Sequence, residues 1–139
     1  MIRASIFGLA ILWFSAPALA SDFTANDQGQ IEFSLPSGNI GCVYTPEGGT
    51  DTYKPAGGGP ELSCDRVEPS YVRVILGPGG KAKRYNDVGD ASCCGGGTFA
   101  YGKTWVMGPF RCKSAETGLT CRRDDGRGFT MSRKSIKTF

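Results

Sequence analysis

Hydrophobic and polar residues alternate with a period of two through much of this chain, and beyond residue 20 no run follows helical spacing. Gln30–Leu35 places Ile31, Phe33 and Leu35 on one face and Glu32 and Ser34 on the other, which predicts a half-buried strand. Pro36-Ser37-Gly38-Asn39 is turn chemistry, and Ile40–Tyr44 alternates again, so the two runs predict a hairpin. Thr45–Pro60 holds five glycines and three prolines and has no apolar period; it reads as a long surface loop. The short run Glu61–Asp65 then carries Cys64. Tyr71–Leu76 and Lys81–Tyr85 flank Gly77-Pro78-Gly79-Gly80 as a second hairpin. Lys81, Lys83 and Arg84 suit a solvated edge strand that resists pairing with other chains. Asn86–Gly97 is turn-rich and contains the adjacent pair Cys93-Cys94. Thr104–Met107, Phe110–Ser114, Leu119–Arg123 and Phe129–Arg133 close the chain as short strands bearing much of its aromatic mass. The pattern predicts an all-β fold, a small disulfide-stapled barrel or sandwich of about seven to nine short antiparallel strands.

The N-terminal segment follows a different logic. Arg3, the apolar run Ile6–Phe14 and the small-residue ending Ala18-Leu19-Ala20 match a cleavable export signal, cut after Ala20. That run is too short for a bilayer span, which takes about 20 residues. The expected organisation is a signal peptide over 1–20, a flexible lead-in over 21–29 and a single β domain over 30–139. The exported chain is expected in the periplasm or outside the cell, with no membrane span of its own.

Export changes how the six cysteines read. An even count in an oxidising compartment predicts three disulfides among Cys42, Cys64, Cys93, Cys94, Cys112 and Cys121. Cys112 and Cys121 flank a turn-like centre and should face each other across a hairpin. A Cys42–Cys64 bridge would pin the ends of the 45–60 loop. Cys93 and Cys94 could bond to each other in an eight-membered ring, or each could reach a different partner. The second route, with Cys42 and Cys64 as those partners, is the favoured expectation because the ring is so constrained.

Charge and residue inventory narrow the chemistry. The net charge of +3 points to no nucleic-acid partner. No histidine is present, which excludes a serine–histidine triad and a histidine-assisted cysteine nucleophile. No cysteine pair has zinc spacing, and the glycine runs 57–59 and 95–97 lack the lysine of a phosphate loop, so neither metal nor cofactor is expected. Asp87 with Asp90, and Asp124 with Asp125, are paired only in sequence; Asp124-Asp125-Gly126 reads as a turn. A carboxylate hydrolase is therefore a minor reading beside a non-enzymatic binding domain, and a structural or stress-related envelope protein without a ligand is the other alternative. Arg111–Lys137 holds eight basic and three acidic residues. Arg111, Lys113, Arg122, Arg123 and Arg127 form the candidate electropositive surface, with an anionic envelope polymer or a protein as partner.

Several ordered motifs add a likeness. Pro36–Cys42 (PSGNIGC), Gly89–Cys94 (GDASCC), Tyr101–Trp105, Gly108–Cys112 (GPFRC), Ser114, Gly118–Cys121 (GLTC) and Gly128–Arg133 (GFTMSR) together resemble a family of small secreted bacterial domains of unknown function. The resemblance implies an exported, disulfide-bearing domain from Gram-negative bacteria and no particular activity. Other members carry one cysteine where Cys93-Cys94 stands, so their pairing does not transfer.

Overall fold

The computed structural model describes Leu12 and residues 22–139; the export signal expected over 1–20, Leu12 apart, lies outside the described residues. Eleven strands follow in order: β1 (Ile31–Ser34), β2 (Ile40–Thr45), β3 (Glu61–Arg66), β4 (Val72–Leu76), β5 (Lys83–Tyr85), β6 (Gly97–Thr98), β7 (Thr104–Met107), β8 (Phe110–Ala115), β9 (Gly118–Arg123), β10 (Gly128–Met131) and β11 (Ile136–Thr138). They form a six-stranded sheet, β5-β4-β3-β2-β1-β6, and a five-stranded sheet, β11-β10-β9-β8-β7. Pairing is antiparallel except where β6 runs beside β1 in parallel. The alternating pattern thus gives an all-β, sandwich-like fold. Strands β6 and β11 exceed the expected number because, at two and three residues, they are too short to display a period.

Alternation decides which side chains meet between the sheets. Ile31 and Phe33 of β1, Ile40 and Tyr44 of β2, Leu62 of β3 and Val72, Val74 and Leu76 of β4 point inward and are buried. Trp105, Phe110, Leu119, Phe129 and Met131 meet them from the five-stranded sheet. Trp105 joins the layers, its ring centroid 4.9 Å from Phe33 and 6.1 Å from Tyr44. Phe23, in the segment read as a loose lead-in, stacks on Phe33 at 5.0 Å and packs against the core.

Two buried arginines tie the sheets reciprocally. Arg66 of β3 donates through Nη1 to the Ser132 carbonyl at 3.2 Å and also bonds Ser70. Burial, with the Arg84 charge, pulls its guanidinium below the ordinary arginine value. Arg123 of β9 reaches the other way, donating to the Gly77 and Gly80 carbonyls, each at 2.7 Å. Its guanidinium also grips Asp125 at 2.9 and 2.6 Å.

Three disulfides join Cys42 to Cys64, Cys93 to Cys94 and Cys112 to Cys121, which marks an oxidising, extracytoplasmic setting. Cys42 and Cys64 are register partners on β2 and β3, as Cys112 and Cys121 are on β8 and β9. Both pairs have Cα atoms 4.1 Å apart and lie buried between the sheets. The favoured pairing of Cys93 and Cys94 with Cys42 and Cys64 is therefore corrected. The inward-facing β2–β3 pair satisfies itself, while Cys93 and Cys94 sit on the opposite, outer face against Gly41. No helix among the described residues is long and apolar enough to cross a membrane.

Candidate functional site

The outer face of the five-stranded sheet is built from two register rows. One runs Thr104–Lys113–Thr120–Thr130–Lys137 and the other Val106–Arg111–Arg122–Gly128–Phe139. Period-two alternation on β8 buries Phe110, Cys112 and Ser114 and turns Arg111 and Lys113 to solvent. The same rule on β9 exposes Arg122. Arg111 and Arg122 stand directly opposite each other across β8 and β9. Neither row contains an acidic residue. The two ion pairs among the described residues, Asp65–Arg73 and Arg123–Asp125, lie elsewhere. The Arg122 guanidinium rests 4.7 Å from the Phe139 ring centroid, which holds its stem against the sheet.

The structure thus gathers Arg111, Lys113 and Arg122 of the expected basic surface, with Lys137 of the same basic stretch in the Lys113 row. Arg127 is exposed in the turn between β9 and β10, at the margin of the face. Arg123 does not belong to it. Opposite Phe110 in register, it faces inward, is 4 % exposed and spends its donors on the inter-sheet tie.

A second feature, which the sequence reading missed, crosses the outer face of the six-stranded sheet. Here the central row is Glu32–Val43–Ser63–Ile75–Lys83, flanked by Ser34–Gly41–Asp65–Arg73–Tyr85 and by Thr45 opposite Glu61. The small side chains at Gly41, Val43 and Ser63 leave a trough, and two loops wall it. The 46–60 loop closes on itself through Gly48 N to Gly58 O at 2.8 Å and carries Tyr53 over β3. Tyr53 Oη donates to Glu61 Oε1 at 2.6 Å. Burial, then that hydrogen bond and the Glu61 charge, push the Tyr53 phenol up to about 12.

The 86–96 loop is held by a polar network rooted in β3 and β4. Arg73 grips Asp65 through two bonds of 2.7 Å and donates to the Asp90 carbonyl at 3.0 Å. Tyr71 Oη donates to Asp65 Oδ2 at 2.5 Å and accepts from the Cys93 amide at 3.0 Å. The hydrogen bond to Asp65 raises the Arg73 guanidinium above its ordinary value, although burial opposes it. Burial and the same carboxylate raise the Tyr71 phenol. The Cys93–Cys94 disulfide lies flat on Gly41 and lines one end of the trough. Glu61, Ser63 and Asp65 alternate with buried Leu62 and Cys64, and that alternation was the available signal. Its partner, the Tyr71/Arg73/Ile75 face, becomes a neighbour only once the β3–β4 register is known.

Among the described residues no group of three histidine, cysteine, aspartate or glutamate side chains could hold a metal ion. No protein-family model, curated protein or solved structure matches the chain.

Proposed function

We propose that this protein is a non-enzymatic binding domain, exported to the periplasm or beyond through its N-terminal signal, and that the outer face of the five-stranded sheet engages an anionic envelope polymer. The observation that carries this reading is the Arg111–Arg122 pair, like charges directly opposite with no acid in either row. Such a pair costs stability, by about 0.2–1 kcal/mol relative to neutral neighbours, so its presence favours an external counter-charge. Lys113 and Lys137 sit three strands apart, about 14 Å, in one row of the sheet. Cations spread across four strands suit repeated charges along a polymer better than one compact anion. Thr120 and Thr130 offer hydroxyls between Lys113 and Lys137, and Thr104 another beside Lys113.

The engagement of the carboxylates favours binding over hydrolysis. Glu61, on the same face of β3 as Asp65, accepts a hydrogen bond from Tyr53. Asp65 is also committed to Arg73.

Retention on immobilised lipopolysaccharide tests the reading. Raising salt from about 0.05 to 0.5 M should release the protein, because the contacts are exposed and screened. Arg111→Thr should weaken retention while leaving the unfolding midpoint unchanged or slightly raised. Salt-independent retention, or full retention by the variant, contradicts the proposal.

A further inference from the structure

The trough on the opposite sheet differs in chemistry from the cationic face. Its clefts are contiguous. Val43, Ser63 and Arg73 line both the disulfide end and the middle, while Tyr53, Glu61 and Ile75 line both the middle and the far end. The cleft widens from about 70 Å³ beside Cys93–Cys94, through 160 Å³, to 380 Å³ between Tyr53 and Tyr85. That wide end falls in the range of small-ligand pockets, about 300–1,000 Å³. From β1 to β5 the trough crosses four strand spacings, about 19 Å. Its shape therefore suits an extended chain anchored at the wide end.

Charge along the trough cancels by count, with Glu32, Glu61 and Asp65 set against Arg73, Lys81 and Lys83. Asp65 is neutralised by Arg73, and Glu61 accepts from Tyr53. Glu32 and Lys83, of opposite sign, stand at opposite ends of the row. At the wide end Tyr53 and Tyr85 are 41 % and 42 % exposed, two of the few large apolar side chains left in water. An aromatic ring beside hydroxyl and carboxylate partners matches a ligand with apolar ring faces and hydroxyl edges. A peptide added by strand pairing does not fit. The backbone of the floor is already paired within the sheet, and the free edges, β5 and β6, run across the ends of the trough.

We infer that the trough binds a neutral glycan segment, with Tyr53 and Tyr85 contacting sugar rings and Glu61 and Ser63 accepting hydroxyl hydrogens. This site stands independently of the cationic face. Calorimetric titration of the whole protein with cellotetraose and chitotetraose, in about 0.5 M salt to screen that face, tests it. At least one tetrasaccharide should bind saturably. Tyr85→Ala, at an exposed edge position, should raise the Kd about tenfold or more, and Arg111→Thr should leave it unchanged. Tyr53→Phe, which keeps the ring but frees Glu61, should alter the Kd less than Tyr85→Ala does. Absence of saturable binding by both sugars, or binding indifferent to Tyr85, overturns the assignment. Saturable binding of an extended neutral octapeptide with no response to either sugar would make the trough a peptide site and overturn it equally.

Discussion

Gly41 lies so close beneath Cys94 that a Cβ on the glycine would sit 2.8 Å from the Cys94 Cβ. The same atom would come within 3.0 Å of both sulfurs of the Cys93–Cys94 disulfide. Gly41 is a mid-strand residue of β2 without a positive φ, so its backbone would accept alanine; only the contact forbids it. Gly41→Ala should therefore destabilise by about 1–3 kcal/mol through overpacking, read as a shift in urea midpoint. In a Cys93→Ser/Cys94→Ser background the cost should fall, because two separate hydroxyls can part where a joined pair cannot. An equal cost in both backgrounds would place the strain elsewhere.

Neighbouring arginines on β9 should behave oppositely. Arg123→Ala leaves the Gly77 and Gly80 carbonyls without their donor and should cost about 3 kcal/mol, a fall of roughly 10 °C in Tm. Arg122→Ala removes an exposed side chain and should shift stability by no more than about 0.5 kcal/mol. Thermal unfolding of the two variants decides between an inter-sheet tie at Arg123 and the surface role its sequence suggested.

Tyr53 supplies a test by pH. Its phenol is raised from 10.0 to about 12, so the folded state favours the neutral, hydrogen-bonded form. The stability it contributes is complete below pH 10 and is lost as pH rises towards 12. An absorbance titration of phenolate should show that Tyr53→Phe removes a late-ionising group near 12, and the stability difference between the two proteins should shrink only above pH 10. Loss of a phenol titrating near 10 instead would mean that neither the burial of Tyr53 nor its Glu61 bond holds in solution.

Much of this architecture was legible along the chain. The β1–β2 and β4–β5 hairpins followed from alternation and turn chemistry, and the lysine-bearing β5 is indeed an edge strand. Arg111, Lys113 and Arg122 emerged as a surface because charge and period agreed. Arg123 was misread because the period alone puts it inward, where a buried arginine is unexpected until distant carbonyls are known to receive it. The trough was illegible for the same reason. Asp65 and Arg73 meet through strand register, and Tyr53 reaches Glu61 through the fold of a loop that has no period of its own. Ring constraint makes longer-range pairing the expectation for Cys93 and Cys94 from sequence; what decides against it is the inward register of Cys42 with Cys64.

Charge reversal within and outside the cationic face tests the polymer-binding claim most directly. Arg111→Glu/Arg122→Glu and Lys54→Glu/Arg84→Glu change the net charge equally, but the second pair sits outside the cationic face. Affinity for lipopolysaccharide, measured for both variants at about 0.1 M salt, should fall about tenfold or more for the first and stay near the wild-type value for the second. Equal loss from both variants would reduce the attraction to net charge, and undiminished affinity in the first would remove the face from binding altogether.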